Sequence, residues 1–444
     1  MRKKWMMLTV LGILLFGSTM SAIAAVESTF HGQFRVNYYS LSQDKDVDPG
    51  VAAARLRWRP TWDAKISDDV SMHMQLNIGH IQGNTSNARN VPNPEDATGA
   101  PAVSLRHAVL MFATPEIGGK FAAGLVPVSD KFGDTLFSSD WDFNPLTLAW
   151  LGKIGGADIR LATAKLMESD PEVYDDVDAY VADVDLPMGN GSVGGSVYVL
   201  NSGDAVTALG DLGGSATENY IGIRASQGVG IVKVNGFILW NSGTIKSCAG
   251  SFCSGSAVGE DVDNSGYAIK LEGSAPLGPA NVGLLFITAS GDKDFGGTDS
   301  ASSFITPMTL IAHTGYWGYT GKLNVQGPTD TGIDNPLNID GAAYGTGSGV
   351  GYGIMTIQAK ADFPIMDRLT GYAAIGIFQH MDVPSGFEKS IGTDIYVQGK
   401  YNVAQNLNLE AGLDYASIGK DNRAYNNTVD NTITLLFARL QLEY

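Results

Sequence analysis

The chain has 444 residues and a formal charge of −17, from 46 acidic and 29 basic side chains. That balance excludes a nucleic-acid binder, which needs a basic face. Glycine, at 55 residues, exceeds the usual share of about 7%, and the two cysteines, Cys248 and Cys253, are too few for a disulfide scaffold or a four-cysteine metal site.

At the amino-terminus, Arg2, Lys3 and Lys4 precede an apolar run from Trp5 to Phe16, and Ala22-Ile23-Ala24 offers small residues for cleavage before Ala25. The pattern predicts a secretory signal peptide over 1–24 and one domain over 25–444. The apolar run is too short to cross a bilayer as a helix, and no later run approaches about 18 residues. Export to an oxidising compartment predicts a small loop disulfide between Cys248 and Cys253, which lie in a Gly/Ser-rich stretch.

The exported part opens on alternation. Phe30, Gly32, Phe34, Val36 and Tyr38 share one face of a strand; His31, Gln33, Arg35 and Asn37 share the other. The next hairpin sets Leu56, Trp58 and Trp62 against Arg55, Arg57, Arg59 and Thr61, then turns at 65–69 into Val70, Met72, Met74, Leu76 and Ile78. Pro60 lacks a ladder donor and predicts an irregularity there. From this point short and long links alternate. Short ones fall near 114–119, 153–157, 188–191, 227–230, 276–279, 364–368 and 403–406. Long ones fall near 82–102, 128–145, 167–175, 201–217, 243–264, 291–349, 381–390 and 417–429. The strands around Val109–Ala113, Val282–Ile287 and Gly371–Phe378 are apolar on both faces, so their phase is not readable. The last strand is the clearest: Leu436, Ala438, Leu440, Leu442 and Tyr444 alternate with Arg439, Gln441 and Glu443, and the chain stops on the aromatic.

One apolar and one polar face on the readable strands, with all long links at one end, is the lacing of a transmembrane antiparallel β-barrel. The all-β fold is expected to have 18 strands, with 16 as the alternative count. Segments 308–312 and 316–325 inside the long 291–349 stretch are an extra hairpin or a structured external loop. Hydrocarbon tolerates no open sheet edge, so the first strand is expected to pair with the last. Phe30, Tyr38, Trp62, Trp150, Trp240, Tyr401 and Tyr444 are expected at the lipid interfaces.

The signal peptide, the Arg55-Leu56-Arg57-Trp58-Arg59 strand, the passage from Ala123-Gly124-Leu125 through an acidic loop to Pro145, and the aromatic end resemble the Gram-negative outer-membrane porins. The resemblance covers essentially the whole exported chain as a pattern rather than a motif, with Tyr444 where the porin end is more often Phe. It implies a water-filled channel, a third external loop folded into the lumen, contact with outer-membrane lipid and lipopolysaccharide, and a homotrimer.

Two sets of residues carry the expected chemistry. Arg55, Arg57 and Arg59 share one face, and each would cost roughly 2–4 kcal/mol at the lipid midplane, so they belong in the lumen; Arg35 and Arg160 have the same phase. By the resemblance, the third loop, 128–145, sets Asp130, Asp134, Asp140 and Asp142 against them. Its Phe132, Phe137, Trp141 and Phe143 are more aromatic than a solvated loop needs, and predict packing on the inner wall. The constriction so formed would select by charge. The plainer reading is a wall cluster that pairs with neighbouring acids or lipopolysaccharide phosphates.

His31, His73, His80, His107, His313 and His380 show no paired metal spacing, and the alternating glycines of 345–353 lack the setting of a phosphate loop. No catalytic set, metal or cofactor is expected. The function predicted is passive diffusion of small hydrophilic solutes and ions. A channel specific for sugars, organic acids or aromatic solutes, using the third loop or Tyr316, Trp317 and Tyr319, is the alternative. A secreted soluble β-protein acting in adhesion or binding is the third reading.

Overall fold

The computed structural model describes residues 26–43, 51–82, 103–137, 139, 144–167, 176–203, 215–246, 259–293, 300–305, 352–419 and 431–444. The leader and the Cys248–Cys253 pair lie outside these residues, as do 308–325. The strands are β1 (Glu27–Gln43), β2 (Val51–Lys65), β3 (Val70–Gln82), β4 (Val103–Ala113), β5 (Lys120–Leu125), β6 (Leu146–Ile154), β7 (Ala157–Met167), β8 (Val177–Met188), β9 (Gly191–Ser202) and β10 (Ala216–Val229). They continue with β11 (Val232–Ile245), β12 (Val262–Leu277), β13 (Ala280–Ala289), β14 (Ser300–Ala301), β15 (Ile354–Met366), β16 (Leu369–Gln379), β17 (Ser390–Ala404), β18 (Leu407–Ile418) and β19 (Asn431–Glu443).

Eighteen of the nineteen close one antiparallel ring. β13 pairs directly with β15, Ala289 opposite Ile354, so these two are neighbours in the ring. β14 is two residues lying parallel to the tip of β12, beyond the point where β13 ends. The ring shuts where β19 meets β1, with Gly32 and Tyr444 exchanging both backbone hydrogen bonds at 2.9 and 3.1 Å. The eight short turns and both strand termini of the ring sit at one end; the strand ends that the long links join are at the other. This is the spanning architecture that leaves no backbone group unpaired at an edge.

The outer surface is apolar: Phe30, Leu284, Ile377 and Leu436 are all more than half exposed. The interface aromatics face outward too, and Trp58 Nε1 donates to Tyr444 Oη at 2.8 Å across the seam. Cross-strand partners of β2 and β3 run to Trp58–Ile78 and resume at Thr61–Gln75, so the ladder breaks around Pro60.

The three strands with unreadable phase are now placed. Leu110, Leu284 and Ile377 point out, while Val109, Ile287 and Phe378 point in and are buried. Their inner faces are apolar because much of the inner wall is itself covered. Tyr198, Leu200, Tyr220, Leu239, Phe378, Tyr396 and Leu435 all face inward within one buried apolar cluster. Segment 302–305 joins it, with Phe304 edge-on to Tyr220 at 6.4 Å.

Candidate functional site

The basic wall is built by register. β1 and β2 pair Arg35 with Arg57 and Gln33 with Arg59, and β19 sets Gln441 beside Arg35. Like charges so placed repel unless something orients them. Carboxamides do so here: Arg35 Nε donates to Gln441 Oε1 at 2.8 Å, Arg57 Nη2 to Gln33 Oε1 at 2.6 Å, and Arg59 Nε to Asn77 Oδ1 at 3.2 Å. These arginines have further contacts as well. A neutral acceptor fixes a guanidinium without cancelling its charge.

A fourth arginine of this wall, Arg106, comes from a bulge. Leu105 and Leu110 both face lipid although strict alternation forbids it at that spacing. The pairing of β3 with β4 jumps from Gln75–His107 to Leu76–Leu105, leaving Arg106 as the extra residue. Arg106 and His107 therefore both turn inward and are buried. Arg106 Nη1 donates to Gln75 Oε1 at 2.5 Å. Beside it, His107 bonds His73 at 3.0 Å, and Asp63 bridges His73 at 2.7 Å and His31 at 2.6 Å. The carboxylate holds the proton on His73 Nδ1. Among the described residues no cluster of three or more histidines, cysteines or acids is placed to hold a metal.

The link between β5 and β6 enters the lumen. Its neck is closed by Ser129 and Ser139, whose hydroxyls lie 3.1 Å apart, with the Ser139 N–H donating to Ser129 Oγ at 3.0 Å. Two arginines hold the limbs from the wall. Arg160 Nη1 donates to the Ser129 carbonyl at 2.8 Å, and Arg106 Nη2 donates to the Ser139 carbonyl. Phe132, Leu136 and Phe137 are buried. Phe132 lies edge-on to Tyr198 and Phe237, at 6.0 and 5.4 Å, and Phe137 to Tyr198 at 5.6 Å.

The residues singled out from sequence are therefore distributed as follows. Arg35, Arg57 and Arg59 form one inward patch. The side chain of Arg55 lies outside the described set, as do Asp140, Asp142, Trp141 and Phe143. Arg160 faces inward on β7, bonded to Asp183 at 2.5 Å and to the loop rather than to the β1–β2 patch. Asp130 is buried within the loop, where its carboxylate accepts from three loop amides. Asp134 sits at the loop tip with φ of 60°, and Lys270 of β12 feels the charges of both Asp130 and Asp134. Arg106, Arg224, Asp185 and Lys270 add lumenal charge around the loop and were not foreseen. Two adjacent polar residues flanked by Leu105 and Ala108, Arg106-His107, were the readable sign of the bulge.

No protein-family model matches the chain, and no curated protein matches it in sequence. Solved structures do match over nearly the whole length. The fold is similar to that of the outer membrane protein OpdK of Pseudomonas aeruginosa, solved with vanillate, at 12% identity and a TM-score of 0.53, covering 94% of this chain and 99% of that one. Acinetobacter baumannii OccAB1 has 12% identity and a TM-score of 0.54, covering 96% and 99%. P. aeruginosa OccK2, solved in complex with glucuronate, has 12% and 0.51, covering 93% and 98%. The chain has the fold of an outer-membrane porin.

Proposed function

We propose that the chain is an outer-membrane channel through which small hydrophilic solutes and ions diffuse passively. Its narrowest point lies where the 126–145 loop faces the arginines of β1, β2 and β4. The observation that carries this reading is the loop's anchorage, with Arg106 and Arg160 gripping its two limbs from the lumenal side. The apolar exterior and the closed ring support insertion in the outer membrane after export. Arg35, Arg55, Arg57 and Arg59 supply positive potential, and Asp134, with Asp140 and Asp142, the opposing negative charge. Purified protein in a planar bilayer is expected to give stepwise ohmic conductance. Replacing Arg55, Arg57 and Arg59 by Ala is expected to move the reversal potential toward cations. Absence of any steps would remove the channel; steps without the shift would remove the arginine role.

A second reading, selectivity for organic anions, is favoured by the grouping of guanidinium groups on one wall. The neighbours solved with vanillate and with glucuronate fit it. Block of the current by one carboxylate solute at millimolar concentration or below, and not by neutral sugars, would favour it over general diffusion.

A further inference from the structure

Asp130 is wound into its own loop. Its Oδ1 accepts from the Phe132 N–H at 2.6 Å; its Oδ2 accepts from Phe137 at 2.9 Å and from Leu136. The Asp130 N–H donates in turn to the Phe137 carbonyl at 3.1 Å, and Thr135 Oγ1 to the Phe132 carbonyl at 2.7 Å. Gly133 and Asp134, with φ of 68° and 60°, reverse the chain over the carboxylate. One side chain thus satisfies three buried amides that would otherwise be orphaned at a cost of 1–3 kcal/mol each.

The shape so fixed delivers Phe132 to a socket. Gly222 forms its floor: a Cβ there would stand 2.4 Å from Phe132 Cζ. Tyr198 and Phe237 flank the ring, and the Arg224 guanidinium lies 5.6 Å from its centroid. Asp130 bonds the amides of its own loop, so its effect on the wall contact runs through the turn.

We propose that Asp130 is the positioning residue of the constriction: by gathering the amides of Phe132, Leu136 and Phe137 it seats Phe132 in the Gly222 socket and so sets the bore. The bore rests on the channel reading; the seating does not.

Burial pushes the Asp130 carboxyl up to about 6, against the opposing pull of its three amide donors, and the Asp134 charge adds to the rise. The charged groups around it are otherwise largely matched. Arg160 pairs with Asp183, Arg224 with Asp185, and Lys131 with Asp185 at 3.6 Å, while Tyr198 Oη bonds Asp183 and Lys270 faces the loop from β12.

The test uses the full-length barrel, wild type with Asp130→Asn and Asp130→Ala. Amide exchange over 126–137 is followed in micelles beside single-channel conductance. Asp130→Ala is expected to exchange at least tenfold faster than wild type and to conduct more. Asp130→Asn, which keeps one of the two acceptor oxygens, should fall between them. Exchange in Asp130→Ala equal to wild type overturns the proposal. Should Asp130→Ala not fold, exchange in Asp130→Asn equal to wild type overturns it. Exchange changes without conductance in any variant would sink the channel reading and leave the positioning role standing.

Discussion

Arg224 and Asp185 are bonded across a strand that separates them. Arg224 is on β10 and Asp185 on β8, yet the guanidinium meets Asp185 Oδ1 at 2.6 and 2.9 Å. Alternate strands lie roughly 9.6 Å apart, and the residue between them, opposite both, is Gly194. A Cβ at Gly194 would lie 2.3 Å from Asp185 Oδ1 and 2.8 Å from Arg224 Cζ. Gly194→Ala is therefore expected to break the pair, costing about 1–3 kcal/mol, and to loosen Phe132, over which Arg224 lies. Denaturant unfolding of the refolded barrel reads the first effect and amide exchange at Phe132 the second. Unchanged values for both would show that the pair carries no structure.

The same window recurs. Glu218 on β10 reaches past Gly243 to accept from Asn264 on β12 at 2.9 Å, while Asn241 Nδ2 bonds its other oxygen at 2.7 Å. Lys360 on β15 passes Gly283 of β13 to pair with Glu272 on β12. Gly243→Ala would set a Cβ 2.2 Å from Glu218 Oε2 and is expected to destabilise by about 1–3 kcal/mol. Glu218→Gln, which keeps the shape but sets an amide NH2 against one of the two Asn Nδ2 donors, is expected to cost about 1–3 kcal/mol. No loss in Glu218→Gln, measured by the same unfolding assay, would mean that one of the two bonds carries no stability.

These windows mark where sequence reading ended. Alternation over Phe30–Tyr38 and Leu436–Tyr444, and the short-long rhythm of links, gave the closed barrel, because period and turn chemistry are local. The aromatic content of 128–145 pointed to packing on the wall, where Phe132 and Phe137 lie. Arg224–Asp185 was hidden because it depends on the register of three strands at once, and Arg106 because one bulge inverts the phase of its strand. Asp130 could not be told from Asp134 by residue type. What separates them is which carboxylate the turn closes around.

Selectivity should respond to the partners of the arginines, not only to the arginines. Gln33 and Gln441 orient Arg57 and Arg35 without charge. Gln33→Glu or Gln441→Glu places a carboxylate at the same hydrogen-bond distance and offsets the cation while leaving it in position. Each variant is expected to shift the reversal potential toward cations, in the direction expected of Arg57→Ala, with conductance steps retained. A shift toward anions, or none, would argue that these guanidinium groups do not face the permeating ions.

Closure of the ring rests on its last residue in two separable ways. The Tyr444 backbone exchanges both hydrogen bonds with Gly32, whereas its hydroxyl accepts from Trp58 Nε1 at 2.8 Å and its ring lies 5.9 Å from that of Phe30 on the outer surface. Tyr444→Phe removes only the hydroxyl contact, worth about 0.5–1.5 kcal/mol, and keeps the apolar ring at the interface. Deleting Tyr444 removes both backbone bonds at the seam and leaves edge groups of β1 unpaired against lipid, where each costs several kcal/mol. Tyr444→Phe is expected to refold to the heat-modifiable, fast-migrating gel form with near wild-type yield, and the deletion to refold poorly. Equal yields from the two would place the weight of closure on the eleven paired positions from Gln33–Glu443 to Gln43–Ile433 rather than on the terminal residue.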